Sequence, residues 1–169
     1  DGVAIDRVSG AVAVGPFQLE VVTQGKFYGS LTLRNFQLWQ VGLLAIALRD
    51  IARERVPMGF AKSRGLGRVA LHYRRLEVGY PGRFGLSANG HNLGETLVGV
   101  PGFLDADPAA QYGYQPEDLP PILEGGAVTE DGDFGRVALA WEGEAVENFL
   151  RTCVPYWRDF VAAWQGGAP

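Results

Sequence analysis

The sequence predicts an α+β fold, because segments with two different hydrophobic periods follow one another along the chain. Apolar and polar side chains alternate in residues 17–22 and again in 27–33, which is the period of a half-buried strand. In residues 36–55 and 144–164 apolar side chains recur every three or four positions, as on one face of an amphipathic helix. With 169 residues, 47% of them hydrophobic, the chain is long enough to bury a core.

The first part of the chain is predicted to be rich in strands. Residues 3–7 are predicted to form a short strand that ends in the polar turn 6–10. Residues 17–22 and 27–33 are predicted to pair as a hairpin around a turn at 23–26.

A helix is predicted next, over residues 36–55. Asn35 is expected to be its N-cap, and Pro57 and Gly59 are expected to end it. Cations near a helix C-terminus interact favourably with the helix dipole. The arginines there are therefore interpreted as a solvated helix end: Arg49, Arg53 and Arg55.

A strand or a pair of strands is predicted over residues 68–80. In this segment Tyr73 has the parity of Val69 and Leu71, so it is expected to pack in the core. His72 has the opposite parity and is expected to face solvent or a ligand.

The second half of the chain has a different character. Residues 85–94 are expected to be loop, and residues 105–130, rich in Pro and Asp, an extended or irregular segment. A strand is predicted over 133–141 and a helix over 144–164, kinked at Pro155. The aromatic stripe of that helix is interpreted as core packing in preference to a groove for a partner.

Charge divides the chain into two predicted domains, 1–83 and 84–169. The first contains twelve basic and six acidic residues, and the second three basic and thirteen acidic ones. Such asymmetry indicates a part that binds a polyanion and an acidic extension, although surface charge without a function is the alternative.

The most informative stretch, residues 58–69, reads MGFAKSRGLGRV and connects the predicted helix to the predicted strand. Glycines permit positive φ and close approach of a ligand, and successive N–H groups in such a loop form an anion-binding concavity. Lys62, Arg64 and Arg68 add positive charge and Ser63 adds a hydroxyl, so the loop predicts a phosphate site. The order helix–loop–strand is the reverse of a P-loop, and a plain connection is the alternative.

Three segments together resemble one known family. Residues 3–11, VAIDRVSGA, resemble an I-D-R-x-[ST]-G-A motif; residues 17–33 resemble a strand pair; residues 62–69, KSRGLGRV, resemble a glycine-rich loop. In this order they resemble the C-terminal half of RAMP-superfamily CRISPR-associated proteins, above all the repeated backbone subunits of type III effector complexes.

The resemblance implies a ferredoxin-like, RRM-like fold that lacks its leading β-α-β half, which a preceding segment or another chain is expected to complete. It implies a cytoplasmic ribonucleoprotein of antiviral defence, whose partners are guide RNA, its target RNA and other RAMP subunits. The expected RNA-binding residues are Lys62, Ser63, Arg64, Gly65, Gly67, Arg68, Arg7 and His72. Base stacking is expected from nearby rings: Tyr73, Tyr80, His72 and Phe84.

Two alternatives remain for the function. One is a RAMP-type endoribonuclease that trims precursor guide RNA with His72 or His91 as acid or base; the other is a protein-interaction module whose loop is only a turn. Asp6 and Arg7 likewise have a structural interpretation, in which Asp6 caps the turn and pairs with Arg7. No catalytic residue is expected in this chain, since the family's target-cleaving aspartate belongs to the half that is missing here.

Neither a cofactor nor a metal site is expected. Cys153 is the only cysteine, so no cysteine cluster can form, and two isolated histidines give no metal-ligand spacing. The sequence contains no signal-peptide pattern and no apolar run long enough to cross a membrane, so a cytoplasmic protein without a membrane partner is expected.

Overall fold

A computed structural model describes residues 2–18, 20–114 and 126–165. It confirms the α+β class: within these residues the sheets are small and antiparallel, and three α-helices accompany them. The chain divides into two compact units, Asp1–Thr32 and Leu33–Pro169.

The first unit contains an antiparallel pair of strands, β1 (Gly2–Ile5) and β2 (Val12–Phe17). The turn between them is built around Asp6, whose Oδ1 accepts hydrogen bonds from the N–H groups of Val8 at 2.8 Å and Ser9 at 2.7 Å. The structure therefore confirms that Asp6 caps this turn, but it shows no ion pair between Asp6 and Arg7.

The hairpin predicted for residues 17–33 is wrong. β2 lies earlier than expected and ends at Phe17, and residues 20–33 contain no strand; Leu19 lies outside the described residues. The described side chains of residues 3–35 are all exposed. Alternation specifies a strand weakly where no face of the segment is buried, and no side chain of residues 20–33 is buried.

The second unit contains a three-stranded antiparallel sheet. Its order is β3 (Arg75–Pro81), β7 (Arg136–Glu142) and β6 (Ala127–Asp131), with β7 in the centre. The boundary predicted between residues 83 and 84 lies inside this unit, where β3 pairs with β7.

Two long helices belong to the same unit, α1 (Leu38–Ala52) and α3 (Glu144–Gln165), which pack against each other. The shorter elements are β4 (Ser87–Ala88), β5 (His91–Asn92), α2 (Ala106–Gln111) and two 3₁₀ turns, Lys62–Arg64 and Val100–Phe103.

The core lies between the sheet and the two long helices. Val137, Leu139 and Trp141 of β7 are fully buried, and the Trp141 ring lies 4.3 Å from that of Phe149. Val146, Phe149, Leu150 and Cys153 of α3 are also buried, which confirms the first half of the predicted core stripe. The last residue of that stripe, Trp164, is 70% exposed, so the prediction of core packing is wrong there. Pro155 lies inside the helix without ending it.

Several element limits differ from the prediction. The cap of α1 is Gln37 and not Asn35, because Asn35 has a φ of +52° and an N-cap needs an extended backbone. The strand predicted from residue 68 begins only at Arg75, which pairs with Glu142, the last residue of β7. Before Arg75 there is no partner strand in the described chain, so the alternating segment stays irregular.

The predicted loop and irregular segments contain short regular elements. Residues 85–94 include the small antiparallel pair β4 and β5. Residues 105–130 include α2 and most of β6, while 115–125 lie outside the described residues.

Candidate nucleic-acid interface

The glycine-rich stretch forms a loop that is closed at its base, and we call residues 58–68 the basic loop. The N–H of Met58 donates to the carbonyl oxygen of Gly67 at 2.8 Å. Gly67 has a φ of +86°, and a Cβ at this position would overlap the carbonyl oxygen of Met58. Only glycine satisfies both conditions, so Gly67 fixes the base of the loop.

The tip of the basic loop is a 3₁₀ turn, Lys62–Arg64, between two left-handed residues, Ala61 and Gly65. The N–H of Arg64 donates to the carbonyl oxygen of Ala61 at 2.9 Å, and that of Gly65 to the carbonyl oxygen of Lys62 at 3.1 Å. These two N–H groups are therefore used by the turn itself. A phosphate at the loop would depend mainly on the basic side chains and on Ser63.

The basic side chains of the loop are open to solvent. Lys62, Ser63, Arg64 and Arg68 are all exposed, and residues 59–64 line a shallow concavity of about 440 Å³. Residues 53–68 contain five basic residues and one acidic residue. The structure thus brings Lys62, Ser63 and Arg64 together on one exposed, positively charged turn, whereas Arg68 lies beyond the base of the loop and does not line the concavity.

His72 lies elsewhere in the second unit. Its side chain is exposed, as its parity predicts, and it lines a groove of about 870 Å³ between α1 and α3. The charged residues on the same groove are Arg49, Arg53, Glu144, Glu147 and Arg151. The groove therefore has both signs of charge, unlike the basic loop.

Two of the rings expected to stack on bases belong to the core instead. Tyr73 is half-buried against the core, and burial, with a smaller effect of Glu147, raises its pKa above the usual value. Tyr80 is buried and accepts a hydrogen bond from the N–H of Val98 at 2.9 Å; burial raises its pKa to about 12. Tyr80 is therefore not available to a base.

Arg7 belongs to the first unit, where it is exposed in the turn between β1 and β2. Its neighbour Asp6 is held ionised by this turn: hydrogen bonds from the Ser9 N–H and hydroxyl and from the Val8 N–H lower the pKa of Asp6. The turn thus presents Arg7 on a defined backbone.

Sequence reasoning missed one candidate in the basic loop, Phe60. Its ring is 77% exposed and it lines the same concavity as Lys62 and Arg64. The available signal was an aromatic residue between a glycine and a small residue, within a basic segment.

In the part of the chain that the structure describes, no group of three or more His, Cys, Asp or Glu side chains could hold a metal ion. None of the described helices combines the length and the apolar character needed to cross a membrane. No protein-family model, curated protein or solved structure matches this chain.

Proposed function

We propose that this protein is a guide-RNA-binding RAMP subunit of a type III CRISPR effector complex, and that its basic loop holds the RNA backbone. The observation that carries the proposal is the preformed loop: its base is closed by Met58 and Gly67, and its exposed turn presents Lys62 and Arg64. Arg68, which follows Gly67 in the sequence, is also exposed. Contacts of this kind position an RNA strand without reading its sequence, as a subunit that accepts any guide requires.

The proposal includes a ferredoxin-like domain. Its support is that the two long helices share one core with an antiparallel sheet. Leu38 of α1 and Phe149 of α3 belong to the same buried cluster as Val78 of β3. This arrangement, helices on one face of an antiparallel sheet, is that of α+β folds of this type.

Association with neighbouring RAMP subunits is also proposed. In the first unit, Ile5, Phe27 and Leu31 are each at least 63% exposed, and the two-stranded sheet has no third strand among the described residues. A two-stranded sheet without a buried face has marginal stability in water. Contact with another segment or subunit would cover these side chains.

Binding of a labelled single-stranded RNA tests the proposal. We expect Lys62→Ala/Arg64→Ala/Arg68→Ala to bind about a hundredfold more weakly than the wild type, at about 1 kcal/mol for each lost charged contact. The control is Arg136→Ala/Arg151→Ala/Arg158→Ala, which removes the same charge from exposed arginines outside the loop. Equal weakening by the two triple variants would show only an effect of net charge and would contradict a site in the loop.

A further inference from the structure

The side chain of Phe60 is exposed and contributes little to the free energy of folding. Its ring is 77% open to water, whereas Phe149 in the core is 4% exposed. Burying a phenyl ring is a main source of folding free energy, and Phe60 forgoes most of that gain.

The backbone on both sides of Phe60 has an uncommon conformation. Gly59 before it has a φ of +88° and Ala61 after it a φ of +56°. The left-handed conformation is uncommon for a residue with a side chain, and such strain persists only where the surroundings impose it. Here the closed base of the basic loop and the 3₁₀ turn provide that constraint.

The ring and the cations share one concavity. Phe60, Lys62 and Arg64 all line the same shallow depression of about 440 Å³. An aromatic face next to cationic side chains is the combination that binds single-stranded nucleic acid, because the ring stacks on a base while the cations contact the adjacent phosphates. A duplex cannot use such a ring without unstacking its own bases.

We propose that Phe60 is the stacking platform for an unpaired base, and that the ligand of the basic loop is a single-stranded segment of RNA. This inference rests on the proposed function and adds to it a residue and a ligand class. Because every base has an aromatic face, stacking on Phe60 tolerates any sequence, as phosphate contacts do.

The experiment compares two probes of equal charge: an oligonucleotide of about ten uridines and the abasic ribose-phosphate chain of the same length. Their affinities are measured with the wild-type protein, with Phe60→Ala and with Phe134→Ala. Phe134 is the matched control, since its ring is 85% exposed in the turn between β6 and β7.

We expect the wild type and Phe134→Ala to prefer the uridine probe about tenfold. Phe60→Ala should lose that preference and keep the wild-type affinity for the abasic probe. If Phe60→Ala kept the preference for the uridine probe, or lost affinity equally for both probes, the inference would be overturned and the exposed ring would belong to another contact, such as one with a protein.

If the wild type bound both probes with equal affinity, the inference would be overturned but the proposed function would stand. If the wild type bound neither probe, the proposed function would be overturned as well.

Discussion

Gly67 is the residue on which the geometry of the basic loop depends. We predict that Gly67→Ala weakens RNA binding at least tenfold, because its Cβ overlaps the carbonyl oxygen of Met58 and opens the base of the loop. Gly65→Ala is the matched control: Gly65 has a similar φ of +79°, but an added Cβ meets nothing within 4 Å. Fluorescence anisotropy with labelled RNA measures both variants. If the two variants lost RNA affinity equally, backbone strain alone, and not closure of the base of the loop, would account for the loss.

A substitution of Tyr80 tests whether its hydroxyl group belongs to the core. Tyr80→Phe leaves the N–H of Val98 buried without its acceptor, so we predict a loss of about 1–3 kcal/mol in the free energy of unfolding. Tyr112→Phe, at a residue that is 74% exposed, should change it by less than about 0.5 kcal/mol. Denaturant unfolding measures both. A Tyr80→Phe variant as stable as the wild type, but deficient in RNA binding, would contradict the assignment to the core.

Asp6 gives a prediction of pH dependence in the first unit. Hydrogen bonds from Ser9 and Val8 hold the pKa of Asp6 below its ordinary value of 3.8. Because the pKa is lowered in the folded turn, the turn is stabilised above pH 3.8, and this contribution is lost as pH falls through the lowered pKa. Ser9→Ala removes one donor, the hydroxyl at 3.0 Å from Oδ1, and should raise the pKa of Asp6.

Nuclear magnetic resonance titration of the Asp6 carboxyl carbon measures this pKa directly. Ser63→Ala, in the other unit, is the control and should leave the titration unchanged. A pKa of Asp6 that is the same in Ser9→Ala and in the wild type would show that the Ser9 hydroxyl does not hold the carboxylate.

At the scale of secondary-structure elements, the crossing of α1 and α3 determines how the core is closed. Gly42 lies at this crossing, and a Cβ there would overlap the carbonyl oxygen of Cys153 and approach Cβ of Trp157 at 3.1 Å. A backbone oxygen cannot rotate away, so Gly42→Ala must separate the helices. We expect the overlap to cost about 3 kcal/mol and the better helix propensity of Ala to offset about 1 kcal/mol, so the predicted net loss in the free energy of unfolding is about 2 kcal/mol.

Gly132→Ala is the control for this substitution, because Gly132 has no positive φ and an added Cβ meets nothing within 4 Å. It should leave stability unchanged within about 0.5 kcal/mol. If Gly42→Ala were as stable as Gly132→Ala, α1 and α3 would not approach each other as closely at Gly42 as the structure shows.

The sequence predicted elements best where several turns share one buried face. α3 is such an element: its stripe of Val146, Phe149, Leu150 and Cys153 fixes both the helix and its buried face. The start of β3 at Arg75 could not be predicted in this way, because it depends on where β7 ends, at Glu142. Strand limits follow from partners that are distant in sequence, which a local pattern does not contain.

At the scale of the whole molecule, charge predicted a division at residue 83 and the structure divides at residue 32. Charge reports on surfaces, whereas compact units follow from burial, and the exposed side chains of residues 3–35 contribute no core. The basic loop itself was predicted because glycine and basic residues reveal it locally. The exposure of Phe60 was not predicted, because exposure depends on how distant segments pack, which a local pattern does not contain.

The most direct test of the central claim is the salt dependence of RNA binding by the wild type and by Lys62→Ala/Arg64→Ala/Arg68→Ala. Each phosphate contact on a single strand contributes about 0.7 to the slope of log K against log salt concentration, so loss of three contacts should make the slope shallower by about 2. The charge-matched variant Arg136→Ala/Arg151→Ala/Arg158→Ala should keep the wild-type slope. An unchanged slope in the loop variant would contradict the account, since Lys62, Arg64 and Arg68 would then not contact phosphate.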